Sequence, residues 1–216
     1  MKFISFKINK HAHIYIISLI FIIIIFLSFI PIISLLLLFI LFFVLYFFRD
    51  PERIIPNNNN LFVSPADGLI TYVGPSEPPI ESEVANKEYN KISIFLNIFD
   101  VHVNRIPSNG EIVFIKYIKG KFFNATLDKS SSENERNIII LNDKNNEKII
   151  FVQIAGLIAR RIVSDLKLNQ KVKIGDRFGI IKFGSRVDIY LPKHYKIQAF
   201  EGQKLIGGQS IISIME

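Results

Sequence analysis

The chain contains no cysteine. That excludes disulfides, thiolate nucleophiles and cysteine-held metals, and nothing points to an oxidising compartment. It also lacks a glycine-rich phosphate loop and a cluster of metal ligands, so nucleoside-triphosphate and zinc chemistry find no support. There is no internal repeat. Charge of one sign is modest: the formal net charge is +7 over 216 residues, of which +3 falls in residues 1–60. This argues against a nucleic-acid partner and suits attraction to anionic lipid. What the chain has in excess is apolar side chain, with a mean hydropathy of +0.33 concentrated towards one end.

That end begins with a short basic leader, Met1–His13, carrying Lys2, Lys7 and Lys10. Ile14–Phe48 then runs for 35 residues without a charged side chain. A secretory signal has an apolar core of about 7–15 residues and a small-residue cleavage site, and neither is found. One helix of that length would measure roughly 50 Å, against a hydrocarbon core of about 30 Å. Pro31 divides the run into two arms of 17 residues, with basic residues at both outer flanks. The pattern predicts a helical hairpin anchored in the membrane with both flanks on the cytoplasmic side, or a re-entrant anchor, because 17 residues is the lower limit for a span. Arg49 and Arg53 read as residues snorkelling at the interface in preference to binding substrate. Pro56–Asn60 reads as an irregular linker, giving an anchor and linker over 1–60 and a second domain over 61–216.

From Leu61 the pattern changes to short apolar runs broken by turn residues. Strands are expected at 69–73, 91–97, 110–120, 138–141 and 148–154, the last two joined as a hairpin. Few helical periods appear, so the domain is expected to be mainly β, packed as a sandwich or partial barrel.

Three places carry candidate chemistry. In Phe178–Leu191 two strand-like runs flank Phe183-Gly184-Ser185. One reading is a strand with a bulge or tight bend at the glycine. The other is a bond meant to be broken. The Ser185 hydroxyl attacks the carbonyl of Gly184 and replaces the amide by an ester, and the absent Cβ permits the strained backbone this needs. Elimination of the ester then cuts the chain and leaves dehydroalanine, which takes up water and loses ammonia to become a pyruvoyl group. The second place is His102, alone among the histidines in lying within an apolar stretch. It is either a structural residue or a general base for the serine proton. The third is Asp67, a turn residue or a carboxylate that orients His102.

Ser64-Pro-Ala-Asp-Gly68, Phe99-Asp-Val-His-Val-Asn-Arg-Ile-Pro107, Asn124–Lys129 with Glu133–Arg136, Gln153–Arg161 and Phe183-Gly-Ser-Arg186 occur in that order. Together they resemble the short bacterial form of the phosphatidylserine decarboxylase proenzymes, over nearly all of the chain from Phe48. The resemblance implies self-cleavage between Gly184 and Ser185 into chains 1–184 and 185–216, held together as a heterodimer, with a higher oligomer left open. It implies a pyruvoyl cofactor on Ser185, with neither pyridoxal phosphate nor a metal, and His102 and Asp67 as partners of that serine. It further implies that phosphatidylserine in the membrane condenses with the pyruvoyl group as a Schiff base, loses carbon dioxide and leaves as phosphatidylethanolamine. The enzyme is expected at the cell (inner) membrane with its catalytic domain on the cytoplasmic side. Arg160 and Arg161 are candidates for the lipid phosphate, though strand alternation points them to opposite faces. Two departures stand out: the larger form of the family has Leu-Gly-Ser-Thr at the cleavage site, and it carries a second histidine where this chain has Arg105. Two other readings stay open. One is a pyruvoyl decarboxylase of a different serine phospholipid. The other is a non-enzymatic, membrane-tethered β domain, since Val172–Gly179 is similar to hairpins of lipoyl- and biotin-carrier domains.

Overall fold

The computed structural model describes residues 7–84, 88–120, 133–156, 161–182 and 185–215. They form two compact units, Met1–Glu52 and Arg53–Glu216. In the first, a 3-10 turn at Lys10–Ala12 leads into helix α1 (His13–Phe29), and α2 (Pro31–Phe47) follows. Ile30 lies outside the helical region, with φ −144° and ψ 83°, because a residue preceding proline is pushed out of the α conformation. Pro31 opens α2 in its first turn, where the missing N–H breaks no helical bond. The two helices pack together, and Ser34 Oγ donates to the Ile23 carbonyl at 3.2 Å.

The outward surface of this hairpin is apolar: Ile17, Phe21 and Phe39 are 68%, 65% and 66% exposed. Each Å² of such surface facing water costs about 25 cal/mol, a cost that lipid removes. The stretch Lys10–Phe29, 20 residues with mean hydropathy 2.6, is long and apolar enough to cross a membrane, and α2 is shorter. At the open end of the hairpin Asn9 N donates to Phe48 O at 2.9 Å, Asp50 N donates to Lys7 O at 2.7 Å, and Lys7 pairs with Glu52 at 2.6 Å. The hairpin expected from Pro31 is formed, and its two basic flanks meet at one end. Deleting residues 1–48 is expected to move the protein from the membrane pellet to the supernatant of a high-salt wash. Extraction of the full-length protein by salt alone would contradict a hairpin anchor.

The second unit is mainly β, as expected. Its largest sheet contains β2 (Gly68–Pro75), β3 (Tyr89–Leu96), β5 (Gly110–Ile118), β6 (Arg136–Asn142), β7 (Lys148–Ala155), β9 (Lys171–Val172), β11 (Ser185–Pro192) and β13 (Lys204–Leu205). They lie in the order β13-β2-β3-β11-β7-β6-β5-β9, with antiparallel pairing throughout. A three-stranded sheet orders β4 (Val103–Arg105), β10 (Arg177–Lys182) and β8 (Arg161–Ser164) as β4-β10-β8. A second orders β1 (Leu61–Val63), β14 (Ile211–Ile214) and β12 (Lys196–Ile197) as β1-β14-β12. The large sheet curls as a half-barrel around a core that takes in Phe62, Ile94, Phe151, Phe178, Val187 and Ile212, so all three sheets contribute to it.

Alternation explains the central strand. Val187, Ile189 and Leu191 face the main core, while Tyr190 joins a smaller cluster with Ile138, Ile150 and Val152 on the opposite face. Every residue of β11 is buried. The segment Pro56–Asn60, read from sequence as a linker, belongs to this unit together with Arg53–Ile55: Ile55 lies against Gly175, where an added Cβ would collide with it. Phe178–Leu191 is not one bulged strand. β10 ends at Lys182 in one sheet and β11 begins at Ser185 in another.

Candidate active site

Strand pairing brings the candidate residues to one end of the large sheet. Ser185, the first residue of β11, pairs with the last residue of β3, Leu96, on one side and the last of β7, Ala155, on the other. β10, which precedes it, is paired at Ile180 with Val103 of β4 and at Lys182 with Arg161 of β8. The chain therefore passes from one sheet to the other at the point marked in the sequence. Gly184 itself, with Phe183, lies outside the described residues, as do Arg160 and the part of the third motif between 124 and 132.

Ser185 is fully buried, and its Oγ makes no hydrogen bond among the described residues. A buried hydroxyl without a partner costs about 1–3 kcal/mol. Ser93 and Ser108 share this state among the described residues, so what sets Ser185 apart is its place at the start of β11, where the chain enters the large sheet. It is also the residue on which a pyruvoyl group would stand: the side chain is buried, and the strand is paired on both sides.

His102 lies between β3 and β4, fully buried. The turn before it is fixed by Asn97 N donating to Asp100 Oδ2 at 2.8 Å and Asp100 N donating to Asn97 O at 2.8 Å. The His102 carbonyl accepts from Ile181 N at 3.4 Å, tying this loop to the end of β10. Its ring Nδ1 is 3.0 Å from the Asp100 carbonyl. A carbonyl only accepts, so Nδ1 carries the proton and the neutral ring keeps Nε2 as its basic nitrogen.

Asp67 ends the turn before β2. Gly68 follows with φ +154°, and a Cβ there would strike the Phe95 carbonyl. One carboxylate oxygen accepts from Gly207 N at 2.8 Å and the other from Arg53 Nη2 at 2.7 Å. Burial pushes the Asp67 pKa above the usual carboxylate value, Arg53 and the Gly207 amide oppose that shift, and the Asp100 charge adds to it. The carboxylate is thus engaged by Arg53 and Gly207, and the bond that orients the His102 ring comes from a backbone carbonyl.

Three further residues escaped the sequence pattern. Arg53, read as an interface residue, is the ion-pair partner of Asp67. Arg105 is buried, with its N donating to Pro65 O at 2.8 Å and Nη1 to Gly175 O at 2.9 Å, and so braces the Asp67 turn. Arg186, next to Ser185, forms a bidentate pair with Asp188 at 2.6 and 2.8 Å on the face away from the main core. An i, i+2 Arg/Asp spacing within a predicted strand was the available signal for that pair. Arg161 begins β8 and is exposed. A cleft of about 710 Å³ between Asn109, Asn142 and Lys171 lies at the other end of the large sheet and shares no residue with this site.

The family model of phosphatidylserine decarboxylase matches residues 40–213. The chain is 52% identical to the phosphatidylserine decarboxylase proenzyme of Rickettsia typhi and 53% identical to that of Rickettsia bellii, in each case over 169 residues, 78% of this chain and 73% of the relative. These matches define the class, a carboxy-lyase made as a proenzyme and dependent on a pyruvoyl group. The chain belongs to the phosphatidylserine decarboxylase family.

Proposed function

We propose that this phosphatidylserine decarboxylase matures by cutting its own chain between Gly184 and Ser185, with His102 as the base and Asp67 as the supporting carboxylate. The observation that carries the reading is the buried Ser185 hydroxyl, without a partner among the described residues, at the start of a central strand. His102 takes the hydroxyl proton through Nε2 as Oγ attacks the Gly184 carbonyl, and Asp100 O keeps the ring in that tautomer. Asp67, within electrostatic reach of Asp100, favours the imidazolium that forms. The pyruvoyl group left on Ser185 supplies an electron sink for decarboxylation of the serine headgroup. Arg160 and Arg161 are the sequence-based candidates for the lipid phosphate. The products of maturation are Met1–Gly184 and Ser185–Glu216, paired without a disulfide, with the catalytic unit on the cytoplasmic face of the cell membrane.

Mass spectrometry of the purified protein tests the cut. Two chains with those boundaries are expected, the smaller blocked to Edman degradation and reactive towards hydroxylamine. A free serine amine on the small chain would sink the mechanism.

His102→Ala should accumulate uncut chain. Asp67→Asn should slow the cut, and the wild-type rate should fall with decreasing pH through a carboxylate titration above the ordinary range. The same shift sets the sign of a stability effect. The Asp67 carboxyl has a higher pKa folded than unfolded, so the folded state holds more protons and stability declines as pH rises between the two values. Asp67→Asn is therefore expected to melt no lower than wild type at neutral pH while maturing more slowly. A lower melting temperature together with normal cutting would make Asp67 a structural residue.

A further inference from the structure

We propose that Arg53 binds the phosphate of the lipid headgroup as it enters the site, an inference that rests on the reading of Ser185 and Asp67 given above. Among the described residues the Arg53 guanidinium makes one hydrogen bond, Nη2 to Asp67 Oδ2 at 2.7 Å. A guanidinium carries five N–H donors, and this side chain is only 12% exposed. Its other donors make no bond among the described residues, and none of its nitrogens is both buried and unpaired, so they are open to an arriving acceptor. A phosphate is the acceptor whose geometry matches the fork.

The position suits the substrate. Leu69 of β2 pairs with Phe95 of β3, and Leu96 of β3 pairs with Ser185. Two interstrand spacings, about 10 Å, therefore separate the Asp67 end of β2 from the Ser185 end of β11. A long arginine on one bank and a phosphoserine headgroup, whose phosphate and amine are a few bonds apart, together span that gap. The phosphate is also the right anion to hold. A cation on the departing carboxylate would stabilise the starting state against the transition state, whereas the phosphate keeps its charge throughout.

The surroundings favour a lipid over a soluble phosphate. Ile54, Phe99 and Ile206 are 85%, 61% and 43% exposed. Each is next in sequence to a residue tied to Asp67: Arg53 and Gly207 by hydrogen bonds, Asp100 by its charge. A polar site rimmed by exposed apolar side chains is what an acyl-bearing ligand meets.

The test uses full-length Arg53→Gln and Arg53→Lys, incubated until self-cleavage is complete on gels, with phosphatidylserine in non-ionic detergent micelles. Phosphate binding that is uniform through the reaction predicts a KM raised about tenfold or more in Arg53→Gln with kcat nearly unchanged, and an intermediate KM in Arg53→Lys. O-hexadecylserine keeps the amine and carboxylate but has no phosphate, and its KM should be the same in all three proteins. An unchanged KM for phosphatidylserine, or an equal rise for both substrates, overturns the proposal and leaves Arg53 as a partner of Asp67 alone. A rise in Arg161→Gln with none at Arg53 overturns it in favour of β8. Inorganic phosphate competing as well as phosphatidylethanolamine does would overturn the lipid assignment. Should Arg53→Gln remain uncut, Arg53→Lys, which keeps the charge beside Asp67, carries the comparison. Failure of the underlying reading looks different: Ser185→Ala would then still be cut.

Discussion

Ser185→Ala is expected to give a single uncut chain with no decarboxylase activity. The substitution removes the only atom that can attack the Gly184 carbonyl from that position. It costs little fold, because the Oγ it deletes is buried without a hydrogen-bond partner among the described residues. Replacing a buried hydroxymethyl group that makes no hydrogen bond with a methyl group is neutral to stabilising. The uncut variant should therefore melt at or slightly above the temperature of an uncut wild-type chain, which separates loss of chemistry from loss of structure. Ser185→Cys should be cut slowly, since a thiol makes the same acyl shift. Turnover of phosphatidylserine by the alanine variant would remove the basis for a pyruvoyl mechanism.

The second large effect is expected from Asp188→Ala. Arg186 and Asp188 are 4% and 0% exposed in their side chains and pair through two short hydrogen bonds. Removing one partner of a buried pair leaves an uncompensated charge, at a cost of about 3–5 kcal/mol. For a unit of this size that lowers the melting temperature by on the order of 10 °C. Arg186→Met with Asp188→Leu should recover most of the loss, because the pair lies opposite Ile154 and Val152 on β7 and an apolar replacement suits that face. Equal destabilisation by the single and double variants would show that the loss comes from packing and not from the stranded charge.

The gross plan was legible because each element carries its own period. Pro31 in an uncharged run dictated a hairpin, and the isoleucine-rich segments at 138–141 and 148–154 dictated paired strands. Ser185, His102 and Asp67 were legible as types with suitable chemistry, and their shared sheet end follows from pairings far apart in sequence that no local pattern encodes. The partners of the site were hidden for the same reason. Arg53 is separated from Asp67 by 14 positions, and the Gly207 amide by 140. The bond that orients His102 comes from a main-chain carbonyl, which has no residue type to recognise. Arg105 stands at a position where a larger relative carries histidine, and its bonds to Pro65 and Gly175 are made by folding alone.

Residues 185–216 supply the strand at the middle of the large sheet, with β3 and β7 hydrogen-bonded to its two edges, an outer strand of the same sheet, and two of the three strands in the β1 sheet. A cut ahead of Ser185, as proposed, would convert a local loop closure into an encounter between two molecules while leaving the strand pairings beyond Ser185 in place. Once separated, the short chain holds β11 without either neighbour and has no core of its own. A protein cut there would be preserved by the height of its unfolding barrier and not by a reversible equilibrium. Folding would then be an event that happens once, before the chemistry, and the mature enzyme would last for as long as that barrier holds.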